Sequence, residues 1–187
     1  MVTIKLLPHD QKYANRLYQL SSDPNVNEHL SFKDGSVEDT KWFINHIINE
    51  ERDGRSISRV ILNEENHIIG VTTLMDIDKE KCHCSIGSWI GKAFWGKGYN
   101  QKSKEEILKI AFGQLGVDLV FAGAHAANVR SQKAQEKLPY VTLHVETMYP
   151  EEHRKLEEKE KQPCILNCIT KNDFFQYLEI KHQPKLS

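Results

Sequence analysis

The chain has 187 residues with 25 basic and 26 acidic side chains, so its net charge of −1 gives no general attraction for nucleic acid. Hydrophobic residues make up 39 % and charged residues 27 %, which is the usage of a globular domain and excludes an intrinsically disordered chain. No apolar run approaches the roughly 20 residues of a membrane span, and the first residues lack the apolar core of a signal peptide. We therefore expect a cytoplasmic domain that binds neither membrane nor nucleic acid.

The first half of the chain predicts a strand, two helices and a meander of three strands. Thr3–Leu7 alternates like a short strand, and residues 9–22 have the apolar spacing of a helix. Ser36 and Asp39 resemble a capping box in front of a second helix. Links of hairpin length separate the three segments predicted as antiparallel strands, which are Ile57–Leu62, Ile68–Met75 and Cys82–Ile90.

The second half predicts alternating helices and strands, which together indicate a mixed α/β sheet. A glycine-rich turn, Gly91–Gly98, precedes a helix to Leu115. The predicted elements that follow are a strand (Asp118–Ala124), a helix (Asn128–Leu138), a strand (Tyr140–Tyr149), a charged helix or loop (Pro150–Gln162), a strand (Cys164–Ile169) and a terminal helical turn (Phe174–Ile180).

The glycine-rich turn carries the most specific signal in the chain. Between a strand and a helix, Gly96 and Gly98 allow backbone N–H groups to converge on an anion, and the helix N-terminus adds partial positive charge. A P-loop fits poorly because Gly98 stands where Ser or Thr would hold Mg²⁺. A dinucleotide fingerprint also fits poorly because Gln101 stands where its third glycine belongs. Two interpretations of the segment therefore stay open: a turn that binds phosphate and a turn with a purely structural role.

Two segments resemble the GNAT N-acetyltransferases, and within them the RimJ/RimL-like branch. The first resembles the acetyl-CoA loop of that family and runs Phe94-Trp95-Gly96-Lys97-Gly98-Tyr99-Asn100 after the strand Ile86–Gly91. The second resembles a later helix of the family through Asn128, Ser131 and Glu136-Lys137-Leu138. Ala93 departs from the usual Gln or Arg, and Pro139-Tyr140 replaces the usual Gly-Phe.

The resemblance implies a GNAT domain over residues 1–180 and a flexible tail over 181–187. Its fold would be a single mixed, mostly antiparallel sheet of about six to seven strands flanked by helices, in which a splayed strand pair forms the acetyl-CoA cleft. Its activity would be transfer of the acetyl group of acetyl-CoA, without a metal, to a primary amine by direct attack. The acceptor would be a protein N-terminus or a small-molecule amine, and the chain could form a homodimer.

The resemblance also assigns roles to particular residues. The cofactor-binding residues it implies are Trp89, Ile90, Gly91, Trp95, Gly96, Lys97, Gly98, Tyr99, Asn100, Asn128 and Ser131. Ser131 is the candidate acid that protonates the leaving thiolate, because Gln135 stands where many relatives have the Tyr that does this. Ser85 stands where relatives often have a Glu base. Glu146 and His125 are the candidate bases, and transfer without a dedicated base is also open.

The same departures support an alternative, in which the chain is a catalytically impaired CoA-binding sensor or structural module of this fold. Two further regions are expected on the acceptor side by their position in the family, namely Trp42 with Phe43 and Glu28 with His29. A zinc site at Cys82-His83-Cys84 is disfavoured, because neighbouring residues of a strand point to opposite faces.

Overall fold

In the computed structural model, which describes residues 2–182, six strands form one open sheet in the order β1-β2-β3-β4-β5-β6. The strands are β1 (Lys5–Leu7), β2 (Ile57–Leu62), β3 (Ile68–Asp78), β4 (His83–Ile90), β5 (Leu119–His125) and β6 (Cys164–Thr170). Neighbouring strands are antiparallel except for β4 and β5, which are parallel. The predicted mixed, mostly antiparallel sheet is therefore confirmed.

Seven α-helices flank the sheet within the described residues. They are α1 (Ala14–Ser21), α2 (Pro24–Asn27), α3 (Val37–Arg52), α4 (Tyr99–Lys109), α5 (Val129–Glu136), α6 (Pro150–Glu160) and α7 (Lys171–His182). A π-helical turn, Ile110–Leu115, extends α4. At α3 the predicted cap is present, because the Ser36 hydroxyl accepts the Asp39 N–H at 3.1 Å. The Asp39 carboxylate accepts the Gly35 N–H at 2.9 Å, one residue before the position that the capping box requires.

Alternating residues of the strands fill cores on the two faces of the sheet. Val60 and Val71 pack with Ala14 and Leu17 of α1 and Ile44 of α3 on one face. On the other face, strand residues pack with α4 and α7 in a cluster that includes Leu74, Ile86, Val120, Ile107, Phe112 and Phe174. Because successive side chains of a strand point to opposite faces, the consecutive buried residues of β2 and β3 contribute to both helix layers.

The sheet opens between its two parallel strands. The paired residues of β4 and β5 run from His83 with Leu119 to Ile86 with Ala122, and the pairing ends there. Beyond that point, residues 87–90 of β4 stay bonded to β3 and residues 123–125 of β5 stay bonded to β6. The backbone groups that these two stretches turn toward each other are therefore left without a strand partner.

The strand predicted over Tyr140–Tyr149 is wrong. This segment makes one isolated bridge to β6, between Thr142 and Cys168, and otherwise forms turns. His144 has a φ of 55°, a left-handed conformation that cannot continue a strand. Leu143 is consequently 37 % exposed, which breaks the alternation that predicted the strand. The sheet has six strands because this one does not form.

Other elements agree with the sequence to within a few residues. The charged segment forms the helix α6, and the terminal turn is a full helix, α7. β4 begins at His83, since Cys82 has a φ of 51° and lies in the preceding turn. Lys181 and His182 belong to α7, and residues 183–187 of the predicted tail lie outside the described residues. Between residues 2 and 182, no helix has the length and apolar character needed to span a membrane.

Gly70 of β3 is expected to be indispensable for the fold. A Cβ at this position would lie 2.2 Å from the carbonyl oxygen of Trp89 in β4, so the two strands would have to move apart. We expect Gly70→Ala to destabilise the protein by about 1–3 kcal/mol, as overpacking does. Thermal denaturation measures this, and Gly113→Ala is the matched control because its Cβ would meet nothing within 4 Å. Equal melting temperatures for the two variants would contradict the prediction.

Candidate active site

A cavity of about 1720 Å³ lies over the opening between β4 and β5. Its walls come from the ends of these two strands, the glycine-rich turn, the start of α4, α5, α3, α6 and the 28–36 loop. The cavity therefore runs from the glycine turn at one end to the first helices and α6 at the other. We call the end at the glycine turn the basic end, and the end at the first helices and α6 the acceptor end.

The glycine turn has the backbone that its sequence predicts. Gly96 and Gly98 have φ values of 73° and 85°, and Gly98 is the N-cap of α4. A Cβ at Gly96 would meet nothing within 4 Å, so the turn is open where an anion would approach. Trp95 joins the turn to both sides of the cleft. Its indole N–H donates to the Ile90 carbonyl at 2.6 Å, and the Arg130 guanidinium of α5 stacks 3.3 Å from the centre of its ring.

The basic end is positively charged throughout. Four cationic side chains line it: Lys104 on α4, Arg130 and Lys133 on α5, and Lys137 directly after α5. Among residues 2–182, the carboxylates that line the cavity all lie on other elements, where they outnumber the four remaining cations, Arg55, Lys79, Lys155 and Lys159. These carboxylates are Asp34, Glu50, Asp53, Asp76, Asp78, Glu152 and Glu160. Lys104 is only 8 % exposed, and its burial lowers the pKa of its amine to about 8. A polyanionic ligand such as coenzyme A fits this end.

Helix α5 places two of the predicted residues on the cavity wall. The Asn128 side chain caps the helix by accepting the Ser131 N–H at 3.1 Å, and both residues line the cavity. Gln135 stands where many relatives have tyrosine. It is buried, and its carbonyl oxygen accepts a hydrogen bond from the Asn167 amide at 2.7 Å. Gln135 therefore ties α5 to β6.

His125 and Glu160 form a buried pair at the acceptor end. His125 is the last residue of β5, and its Nε2 lies 2.7 Å from a carboxylate oxygen of Glu160, the last residue of α6. The two side chains are 12 % and 11 % exposed. The Ser31 hydroxyl donates to the same carboxylate at 2.8 Å, and the ring of His29 lies 6.4 Å from that of His125. The 28–36 loop is thus fastened to the pair.

Four rings form an aromatic stack at the same end. We use this name for Phe43, Phe32, Trp42 and His46, which all line the cavity. Phe32 lies 5.3 Å from Phe43 and 5.7 Å from Trp42, and Trp42 lies 5.2 Å from His46 at an interplanar angle of 3°. Trp42 is 58 % exposed, so a large apolar face remains open to a ligand.

The structure brings most of the predicted site residues to this cavity. Those that line it are Trp89, Ile90, Trp95, Gly96, Gly98, Tyr99, Asn100, Asn128 and Ser131. Gly91 and Lys97 do not line it. Gly91 is buried, and a Cβ there would lie 2.7 Å from the Leu20 side chain.

Glu146 is not brought to the cavity either. One of its carboxylate oxygens accepts the Leu166 N–H at 2.9 Å. Burial is the largest influence and opposes ionisation of Glu146, but this hydrogen bond, a second one from its own N–H, and the nearby His144 and His153 together outweigh burial and lower the pKa of the carboxyl group. Glu146 is accordingly a weaker proton acceptor than an ordinary glutamate, and of the two candidate bases only His125 lines the cavity.

The sequence did not predict a role for two residues at the site, Glu160 and Lys104. Glu160 lies 35 residues from His125, inside a run of charges whose members look alike in the sequence. Lys104 follows the glycine turn on an otherwise charged helix, and only its burial separates it from Lys102 and Lys109. A helical-wheel comparison could have found Lys104, since it lies one turn after Asn100 on the face that the turn presents.

Comparisons with known proteins agree with this geometry. Residues 3–141 match the family model described as acetyltransferase (GNAT) domain. An uncharacterized N-acetyltransferase p20 of Bacillus licheniformis is 28 % identical over 131 residues, which are 68 % of this chain and 72 % of that protein.

Two solved structures share the fold. The microcin C7 self-immunity acetyltransferase MccE, solved with acetyl-CoA and AMP, superposes with a TM-score of 0.65 at 25 % identity and covers 75 % of this chain and 79 % of its own. RimL, the ribosomal L7/L12 α-N-protein acetyltransferase, solved with coenzyme A, gives a TM-score of 0.69 at 19 % identity, covering 75 % of this chain and 81 % of its own. At this identity RimL is similar to the chain in fold. Because the family model covers well over half of its length, this chain belongs to the GNAT acetyltransferase family.

Proposed function

We propose that this protein is an N-acetyltransferase that moves the acetyl group of acetyl-CoA to a primary amine. The observation that carries the proposal is the division of charge in one cavity over the strand opening, with cations alone at the glycine turn and the carboxylates elsewhere. A polyanionic cofactor is favoured at the basic end, and an amine, which is a cation at neutral pH, is favoured at the other. MccE, which shares the fold, was solved with acetyl-CoA bound.

The residues of the basic end would hold the cofactor by its polar groups. Acetyl-CoA supplies an activated acetyl thioester when bound. The N–H groups of the turn from Gly96 to Asn100 would bind its diphosphate, aided by the N-terminus of α4. The Trp95 N–H already donates to the Lys92 carbonyl at 3.1 Å. The backbone of residues 87–90 that faces β5 without a strand partner would pair with the pantetheine arm and polarise the thioester carbonyl. Gly91 would not take part, because its N–H donates to the Ile69 carbonyl and its own carbonyl accepts from Phe94. Asn128 and Ser131 face the same channel from α5.

Two side chains would handle protons during transfer. Glu160 accepts the Nε2–H of His125 and so leaves Nδ1 to take a proton, an arrangement in which a carboxylate orients the imidazole. His125 accepts the proton that the amine loses as its nitrogen bonds to the acetyl carbon. Ser131 donates its hydroxyl proton to the sulfur atom whose bond to that carbon breaks and regains a proton from water, while His125 releases its proton to water. We therefore assign His125 as base in place of Glu146.

The aromatic stack would contact the body of the acceptor. The Ser31 hydroxyl binds the Glu160 carboxylate, and Phe32 is the next residue of the chain. The aromatic stack therefore lies next to the segment that contacts the His125–Glu160 pair. An amine placed at His125 would therefore have its substituent against the rings of Phe32 and Trp42. This favours acceptors that carry a flat or apolar group near the amine, over strongly polar polyamines.

A titration followed by a turnover assay tests the proposal. We expect acetyl-CoA to bind the purified protein with micromolar affinity in calorimetry. We then expect thiol release, measured with acetyl-CoA and a panel of aromatic amines, polyamines and peptide N-termini, to be fastest with the aromatic amines. Absence of acetyl-CoA binding would overturn the proposal. Binding without thiol release for any amine would favour the CoA-binding sensor or structural module.

A further inference from the structure

Lys104 is an unusual residue for the inside of a protein. It lies in the second turn of α4, is 8 % exposed and lines the cavity at the basic end. Burial alone accounts for the lowered pKa of its amine, and no carboxylate among the described residues offsets its charge. A buried lysine without a counter-charge destabilises a fold, so a ligand that supplies the charge would be bound strongly here.

Asn100, one helical turn earlier, is in a similar state. Its side-chain oxygen is buried without a hydrogen-bond partner among the described residues, and it lines the same cavity. Residues four apart lie on the same face of a helix, so Asn100 and Lys104 present one unpaired acceptor and one unpaired cation side by side. The matching ligand carries an anion with a hydrogen-bond donor next to it.

The position of these two residues relates them to the glycine turn. Lys104 is five residues beyond the start of α4, about 7.5 Å along the axis, and helical side chains lean toward the N-terminus. Its ammonium group is thus within reach of the turn. Coenzyme A has the required chemistry, because the hydroxyl and amide donors of its pantetheine arm follow directly after its diphosphate.

We propose that Lys104 and Asn100 form a cofactor-binding subsite behind the glycine turn, in which Lys104 binds the diphosphate and Asn100 accepts a hydrogen bond from the adjoining pantetheine arm. This inference rests on the proposed function, since it takes acetyl-CoA as the ligand. It adds to the turn a buried cation that only the bound cofactor neutralises.

The subsite couples cofactor binding to protonation. With a pKa of about 8, the amine is mostly charged at pH 7 and mostly neutral at pH 9, and the diphosphate binds the charged form. The other titratable groups that line the cavity from α4, α5, β4 and β5 are Tyr99, Arg130, Lys133, His83 and His125, together with Lys137 directly after α5. Affinity for acetyl-CoA should therefore fall about tenfold from pH 7 to pH 9, with proton uptake on binding near pH 8.5.

Calorimetry on three forms of the protein tests the subsite. Titrations of the unaltered chain at pH 8.5 in two buffers of different ionisation enthalpy measure the proton uptake. We expect Lys104→Met to weaken acetyl-CoA binding at pH 7 at least tenfold and to remove both the uptake and the pH dependence. Lys109→Met is the matched control on the same helix, because Lys109 is paired with Glu106 at 3.0 Å.

Two further measurements locate the contact. Dephospho-acetyl-CoA, which lacks only the 3′-phosphate, should lose the same factor as acetyl-CoA in Lys104→Met if Lys104 binds the diphosphate. Without ligand, Lys104→Met should melt at a higher temperature at pH 7, and this gain should shrink from pH 8 to pH 10 as the folded protein stops carrying the buried charge.

The possible outcomes separate the subsite from the proposed function. No proton uptake, an unchanged affinity in Lys104→Met, or a loss confined to acetyl-CoA would each overturn the subsite while leaving the acetyltransferase proposal intact. Failure of the unaltered chain to bind acetyl-CoA would instead overturn the proposed function. The proton uptake needs no variant, so the subsite stays testable even if Lys104→Met folds poorly.

Discussion

Gly98→Trp is expected to abolish acetyl-CoA binding in a calorimetric titration. Gly98 has a φ of 85° and is the N-cap of α4, where the backbone N–H groups must stay accessible to the diphosphate. An indole at this position would fill the turn and cover those groups. The left-handed backbone adds roughly 1–2 kcal/mol of strain in any residue other than glycine. We expect the loss of binding to be far larger than this strain explains.

Gly116→Trp separates the two effects. Gly116 also has a positive φ, 69°, and a Cβ there would meet nothing within 4 Å, but the residue is exposed and lies away from the cavity. Both variants should lose similar stability in thermal denaturation, while only Gly98→Trp should lose acetyl-CoA. Wild-type affinity in Gly98→Trp would show that the turn is structural and that the cofactor lies elsewhere.

Loss of the His125–Glu160 pair is expected to stop turnover without affecting the cofactor. His125→Gln removes the proton acceptor, and a positioned base contributes about 100-fold or more to such a transfer. We expect kcat/KM for the best amine to fall by that factor while the affinity for acetyl-CoA stays unchanged. Glu160→Gln should lower kcat less than His125→Gln does, because Glu160 orients the imidazole but does not itself take the proton.

Two further variants, Glu158→Gln and Ser131→Ala, are compared with His125→Gln. Glu158→Gln is the control on α6, since Glu158 is exposed and pairs only with Arg154 of the same helix. Ser131→Ala should lower kcat if Ser131 protonates the thiolate. Full activity of His125→Gln at neutral pH would refute the assignment of His125 as base and favour transfer driven by positioning alone.

The glycine turn shows what could be predicted from the sequence. Its function depends on neighbouring residues, a strand end, two glycines and a helix start, so the whole signal lies within a short stretch of chain. The capped start of α3 and the meander from β2 to β4 are local in the same way. Such features were predicted nearly to the residue.

Features that depend on distant residues were not predicted. The segment after α5 alternates like a strand, but His144 turns left-handed and its N–H bonds to the Asn167 side chain at 2.8 Å. The partner of His125 is Glu160, which α6 brings to the end of β5. Lys104 looks like a surface lysine until the packing of α4 buries it. In each case tertiary contacts determine the conformation, partner or burial of the residue, and the local sequence pattern contains no information about them.

The parallel contact between β4 and β5 has a consequence for the mechanics of the molecule. Within residues 2–182, four residue pairs of β4 and β5 are the strand pairing that joins the meander to β5 and β6, and the core around Leu74, Ile86 and Val120 spans the two halves of the sheet beside them. We call these halves, β1–β4 and β5–β6, the two panels. A cofactor that pairs with the free backbone of both panels would extend that pairing and make the panels unfold together. A ligand bound in this opening would therefore both stabilise the protein and make its unfolding more cooperative.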